Sequence, residues 1–474
     1  MRYVLYVKIK LILSFAIFFL AILTSSCSST QRNFEEIANS VEECPDEIVP
    51  SALKVSCYRF KNGKTSTAFA LLESETATSE PVLFLHGGPG GRAVRDRHIW
   101  LSPRSKILDT QDLILVDQKG SGESEPSLDC METDESMDTS SISACRARLR
   151  SDGIDFSEYQ INRIAAEIVD LRTFLGVEKW NLYGVSFGSR IALELLEIDN
   201  EAVNRVVLDS PLPPQVAAYD SLPEESERAV NLALDLCEKI KECVSQFSDQ
   251  LNVDCPFYDN QLSRCLNYLL RKLDQNPVTY SDGDIVISVD DSVFAYEIVS
   301  ALAHPDGLSV VPEALGMALS GKFAEAMKSL LSTSVSGYSK GDSLSEGVQF
   351  SSECLDELPK NNPDIEKYAT AIASALSEKE KVLQEICRIW TPETNGSTKP
   401  QFDSFNKHSL ILTGSLDPIT PSEWALKTKE ILPDAILINR NDWTHAPSLS
   451  NSCAKRLVSD FLTGKRLNPD DLPC

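Results

Sequence analysis

At 474 residues the chain is too long for one small core and long enough for a large domain with an insertion, or for two to three domains. Its formal net charge is −25, a balance that repels nucleic acid and anionic membranes, so no nucleic-acid partner is expected. Thirteen cysteines stand beside only five histidines, and no Cys-x-x-Cys occurs, which argues against a metal site and for disulfides.

The first elements read as an export signal. Arg2, Lys8 and Lys10 form a basic start. Leu11 to Leu23 is an uncharged apolar run, short of the roughly twenty residues that a membrane span needs. "LTSSCSS" follows. Small residues directly before Cys27 resemble a bacterial lipobox, in which that cysteine is lipidated and becomes the new N-terminus, although Thr24 stands where such boxes prefer Leu. Ordinary cleavage nearby is the other reading, and both export the chain. With lipid on Cys27, Ser28 favours the outer membrane by analogy, facing the periplasm; the alternative is secretion. Residues 1–26 are therefore assigned to the signal and 27–40 to a tether. Removing the three basic residues, in a segment without acids, leaves −28 on the remainder.

Next come short apolar runs that each end in a turn signal. "VLFL" (82–85) precedes "HGGPGG", "LILV" (113–116) precedes "DQKGSGES", and "WNLY" (180–183) precedes "GVSFG". "RVVL" (205–208), "LIL" (410–412) and "AILI" (435–438) precede "DSPLPP", "TGSLDPITP" and "NRNDWTH". Short unalternating runs fit parallel strands buried on both faces. Between them, "INRIAAEIVDLRTFLG" and "SRIALELLEI" repeat apolar residues every three or four positions, as helices do. The pattern predicts an α/β fold with a mostly parallel sheet and helices on both faces. From 212 to 405 the rhythm changes to helical patterns such as "EESERAVNLALDLCEKIKEC". This segment is expected to be a helical cap over the carboxyl ends of the strands, where open α/β sheets bind ligands. The core is thus expected as 41–211 and 406–474. With Cys27 set aside, twelve cysteines fall in close couples: 44/57, 130/145, 237/243, 255/265, 354/387 and 453/474. Sequence alone does not fix the pairing; short loops close most easily, which favours these couples.

Gly-x-Ser-x-Gly at 184–188 has the strand before it and the helix after it that a nucleophile elbow requires. A serine needs a base. His445 lies in a loop after a strand, behind Asp417, which follows another strand; the order serine, aspartate, histidine suits the expected fold. Asp209 also follows a strand and is the rival acid. His86 lies too close to the glycine turn and is expected to pack or hydrogen-bond beneath it. His408 begins a strand, and no acidic partner can be placed for His98 or His304. The expected division of labour has Ser186 attacking a carbonyl, His445 taking its proton and Asp417 orienting the imidazole. The oxyanion would be met by the backbone amides of Phe187 and Gly88.

"HGGPGG", "DQKGSGES", "YGVSFGSR", "GSLDPITP" and the late histidine together resemble the proline iminopeptidase and tripeptidyl aminopeptidase branch of the α/β-hydrolases. "LRTFLGVEKWNLYG", Cys237/Cys243, "CLDE" and a terminal cysteine look especially like its secreted tripeptidyl aminopeptidase-like members. Lys119 departs from the arginine usual in the family, Phe187 from a common tyrosine, and "NDWTH" lacks a glycine before its histidine. The resemblance implies an exopeptidase without a cofactor, acting on peptides with a free N-terminus. Such an enzyme must hold a cationic amine, and Glu353 and Asp356 in "SSECLDE" are candidates, a solvated acidic loop being the other reading. A carboxylesterase with the same triad and a non-catalytic surface binding protein are the rival functions.

Overall fold

The computed structural model describes residues 41–42, 44, 54–101, 105–133, 137–216, 218–248, 255–256, 261–282, 285–333, 344–357, 368, 370–391 and 402–468. The export segment, Cys27 and the tether lie outside these residues. Among the described residues no helix is long and apolar enough to cross a membrane.

Among the described residues nine strands make one sheet. They are β1 (Val41–Glu42), β2 (Val55–Asn62), β3 (Thr65–Leu72), β4 (Val82–Leu85), β5 (Leu113–Val116), β6 (Trp180–Val185), β7 (Val203–Asp209), β10 (His408–Gly414) and β11 (Ile436–Arg440). Their spatial order is β1-β2-β3-β5-β4-β6-β7-β10-β11. From β5 to β11 every pairing is parallel, and β1, β2 and β3 are antiparallel at one edge. The parallel strands are apolar on both faces because both are covered. Leu83, Leu85, Ile114, Val116, Leu182 and Leu208 pack with the helices Ile161–Phe174 and Phe187–Asp199. Val82, Phe84, Leu115, Tyr183, Val207 and Leu412 pack with Trp100 and the helix Ser452–Leu462.

The antiparallel hairpin β2–β3 was not expected from sequence. β2 mixes apolar and polar residues while β3 carries the apolar run "AFALL", and the hairpin's signal was the Asn62-Gly63 turn, where Gly63 has φ +62°. The described residues of 212–405 are mainly helical, with β8 (Val278–Asp282) paired antiparallel to β9 (Ile285–Val289) as an unforeseen hairpin. Helices including Ala218–Glu238, Leu262–Gln275, Asp291–Ala303 and Gly307–Leu319 share one apolar core.

Packing divides the chain differently from the expected boundary at 212. Leu128, Ile142, Leu149 and Phe156, from the first core segment, share a cluster with Val348, Phe350, Cys354, Leu383 and Trp390 of the cap. The helix Thr139–Ser151 leaves the sheet after β5 and packs on the helix Ala371–Trp390, so its apolar stripe is buried by the cap.

Disulfides join Cys44 to Cys57, Cys130 to Cys145, Cys237 to Cys243, Cys255 to Cys265 and Cys354 to Cys387. Cys474, assigned to Cys453, lies outside the described residues.

Candidate active site

Every residue of the expected site in the sheet lies past the carboxyl end of a parallel strand. Ser186 follows β6 directly, with φ 53° and ψ −125°. A non-glycine residue takes that conformation only where its surroundings impose it. Here the Ser186 amide donates to the Asp209 carbonyl at 2.9 Å, and the Ser186 carbonyl accepts from Ser189 N at 2.9 Å. The flanking glycines have no room for a side chain. A Cβ on Gly184 would stand 2.5 Å from the Gly188 carbonyl oxygen, and one on Gly188 would stand 1.9 Å from that of Leu85.

Asp417 is fully buried in the turn after β10. One carboxylate oxygen accepts from the amides of Ile419 and Thr420, each at 2.9 Å. The other accepts from Thr420 Oγ1 at 2.8 Å and meets His445 Nδ1 at 2.8 Å. Burial alone would raise this carboxyl, but the charge and hydrogen bond of His445 and the two amides hold it below its ordinary value. The imidazole responds in the opposite sense. Burial works to lower it, while Asp417, and more weakly Asp209, lift it above the ordinary histidine value.

The loop that carries His445 is tied down on both sides. Gly414 leaves room for it, since a Cβ there would lie 2.1 Å from the Trp443 carbonyl oxygen. Ala446, at φ 52°, donates its amide to Ser210 Oγ at 2.9 Å, and Ser210 is itself at φ 53°. The Ser448 amide donates to Asp209 Oδ2 at 2.8 Å, the Ser448 hydroxyl bonds the same oxygen, and Tyr183 OH bonds Ser448 Oγ. Asp209, the rival acid, is thus directed at Ser448 rather than His445. Burial pushes its carboxyl up to about 7 against those hydrogen bonds.

The glycine turn after β4 lies against the serine. A Cβ on Gly87 would stand 3.1 Å from Ser186 Cβ and 3.6 Å from its Oγ. Gly88 has φ +126°, and its amide has no hydrogen-bond partner among the described residues. Phe187 opens the helix after Ser186, where the first amides of a helix have no partner within it. The Phe187 amide thus directly follows the serine, and the Gly88 amide belongs to the turn whose Gly87 packs against it. His86 packs beneath the turn, its Nε2 3.1 Å from Asp96 Oδ2 and its ring edge-on to Phe84. The structure also corrects one expectation. His304 does have an acidic neighbour, Asp306 at 3.6 Å, but this pair is exposed in the cap. His98 is exposed, as is His408 at the start of β10.

The cap residues fare differently. Asp356 accepts from the Ile161 amide at 2.9 Å and from Gln160 Nε2 at 3.5 Å. These bonds meet the N-terminus of the helix Ile161–Phe174. Glu353 is buried and accepts from Tyr219 OH at 2.6 Å and Gln349 Nε2 at 3.1 Å. Nearby, Arg190 lies 3.4 Å from Glu194 and 3.7 Å from Glu357. Lys119 is held at 3.3 Å from buried Glu167 and lies over the Tyr159 ring.

Sequence reasoning missed Thr420, Ser210, Ser448 and Gln118, all of which touch the site's frame. Gln118 lies within "DQKGSGES", a stretch that does not tell which neighbour its amide meets.

A family model described as alpha/beta hydrolase fold matches residues 80–231, and one described as TAP-like protein matches residues 375–474. The chain is 29% identical over 129 residues to a probable proline iminopeptidase of Streptomyces coelicolor, covering 27% of this chain and 32% of that protein. It is 29% identical over 136 residues to the proline iminopeptidase of Neisseria gonorrhoeae, covering 29% of this chain and 34% of that protein. The matches thus span only about a third of those relatives. A longer match, 22% identical over 82% of this chain and 79% of the relative, is to the putative hydrolase YuaR of Escherichia coli K12.

Proposed function

From the premise that this chain belongs to the α/β-hydrolases of the proline iminopeptidase and TAP-like branch, we propose that it is a serine exopeptidase. It releases N-terminal residues, proline or a short peptide such as a tripeptide, through an acyl-enzyme on Ser186. The observation that carries the reading is the pair of buried Asp417 and part-buried His445 at 2.8 Å, past the ends of strands in the same sheet that carries a serine held at φ 53°.

The reaction follows from this placement. His445 takes the Ser186 proton as Oγ attacks the carbonyl of the scissile bond, and Asp417 stabilises the imidazolium that forms. The tetrahedral oxyanion is met by the amides of Gly88 and Phe187. Collapse breaks the C–N bond, and His445 gives its proton to the departing amine. Water activated by His445 then hydrolyses the ester and restores Ser186. Glu353 is the cap carboxylate assigned to the substrate's N-terminal ammonium. Export is part of the reading: the basic start, the apolar run and Cys27 support a lipoprotein facing the periplasm from the outer membrane, with secretion as the alternative, and the disulfides among the described residues suit that compartment.

The test is a digest of a peptide library read from the N-terminus, beside aminoacyl and tripeptidyl chromogenic amides and short acyl esters. Release of N-terminal residues, abolished in Ser186→Ala, is expected. Turnover of esters with every amide intact would assign the same triad to an esterase. Mass spectrometry of the mature N-terminus reads whether it begins with lipidated Cys27.

A further inference from the structure

The turn that carries Gly88 is gripped by a side chain with no part in the steps above. Gln118 lies two residues past β5 and is buried. Its Nε2 donates to the His86 carbonyl at 2.9 Å and faces the Gly87 carbonyl at 3.4 Å. Its Oε1 accepts from the Gly90 amide at 3.0 Å. A primary amide can donate and accept from one planar end, so this single group spans the turn on both sides of Gly88.

A second grip comes from the cap. The Gly90 carbonyl accepts from the Ser345 amide at 3.1 Å, and Ser345 Oγ donates to the Gly120 carbonyl at 3.1 Å. The contact is tight enough that a Cβ on Gly90 would stand 2.7 Å from the Ser345 carbonyl oxygen. Gly87 meanwhile lies against Ser186. Gly88 therefore sits in a span fixed at residues 86, 87 and 90, next to the atom it is to serve.

We propose that Gln118 is a positioning residue for the oxyanion hole: by fixing the carbonyls of His86 and Gly87 and the amide of Gly90, it sets the place of the Gly88 amide relative to Ser186. Ser345 closes the same frame from the cap. The inference rests on the reading of Ser186 as the nucleophile. Its consequence is specific to the transition state. A donor displaced by a fraction of an ångström weakens its hold on a tetrahedral oxyanion far more than on a bound ground state.

The experiment uses Gln118→Met, which removes both arms of the amide at similar volume, and Gln118→Asn, which keeps the amide but is too short to span the turn. The full chain is first exposed to a fluorophosphonate, with Ser186→Ala as control. Then kcat, KM, the phosphonylation rate and the affinity of a peptide boronic acid are measured, together with the thermal midpoint. The expected result is a kcat lower by about 10- to 100-fold with KM within about twofold, less than the loss on deleting an oxyanion donor outright. Phosphonylation and boronate affinity should fall by the same factor. If the variants lose thermal stability but keep kcat and boronate affinity at a temperature where they are folded, Gln118 only satisfies buried carbonyls and the proposal is overturned. If Gln118→Met does not fold, Gln118→Asn decides by the same readouts. Failure of the unmodified chain to react at Ser186 would overturn the nucleophile reading, and this inference with it.

Discussion

Ser186, Asp417 and His445 stand where β6, β10 and β11 run out at one end of a single sheet, each in a turn with almost no freedom. Glu353 and Ser345 stand on a cap segment whose place is set by interlocking side chains and by the Cys354–Cys387 disulfide. In the core, backbone meets backbone. Glycines at 184, 188 and 414 let turns close to distances that any side chain would block. In the cap, carboxylates with polar partners hold helices: Asp356 closes one, and Glu353 ties Tyr219 to Gln349. The proposed catalytic residues are thus placed by turns that demand particular residues, whereas Glu353, proposed to meet the substrate, is placed by side-chain partners.

The largest expected effect tests the core half. Ser186→Ala should lower kcat on the order of a millionfold, with fluorophosphonate labelling lost and the thermal midpoint little changed. Asp417→Asn should cost about ten thousandfold in kcat, the imidazole losing its orienting partner while the fold persists.

The contrast in room is sharpened by two glycine substitutions read by denaturant unfolding. Gly188→Ala, with its Cβ 1.9 Å from the Leu85 carbonyl oxygen, should destabilise by about 3 kcal/mol and abolish turnover. Gly321→Ala in the cap has φ +83° but nothing within 4 Å, and should cost only about 1–2 kcal/mol with activity intact. Equal losses would break the comparison.

For the cap, Glu353→Gln should raise KM about tenfold for a peptide with a free N-terminus while kcat stays within about twofold. An unchanged KM would confine Glu353 to packing. The smallest effect is in pH. Activity needs neutral His445, so kcat/KM should rise with pH, with a midpoint above the ordinary imidazole value because Asp417 and Asp209 favour the cation. Asp209→Asn removes one of those charges and should move that limb to lower pH. A shift to higher pH would contradict the sign.

The same contrast governs what could be read in advance. The parallel strands announced themselves as uncharged runs because both of their faces are covered. "VLFL" and "LILV" coincide with β4 and β5 from end to end. The β2–β3 and β8–β9 hairpins pair strands of mixed sequence, VSCYRFKN with TSTAFALL and VTYSD with IVISV, none of which stands before a turn of the kind that follows the parallel strands. Asp417 and His445 could be picked out because each follows a strand, in an order the fold allows. Gln118 could not. Its partners lie 28 to 32 residues away, and nothing in "DQKGSGES" tells which neighbour its amide meets. The bond between Asp356 and a helix N-terminus 195 residues earlier was hidden for a related reason, since proximity in sequence to Glu353 says nothing of it.

The junction between Ser345 and Gly90 bears on how far this cap could be exchanged for another. Its one hydrogen bond runs between backbone atoms, as does that from the Gly347 amide to the Leu128 carbonyl at 3.1 Å, and Gly347 has no more room than Gly90. A chimera that grafts a foreign cap at residues 212 and 405 would need a glycine in register with 347 and a loop able to seat on Gly90. Without both, the transplant would change the substrate and slacken the catalyst in one stroke, so the segment 344–347 belongs with the recipient core when such exchanges are planned.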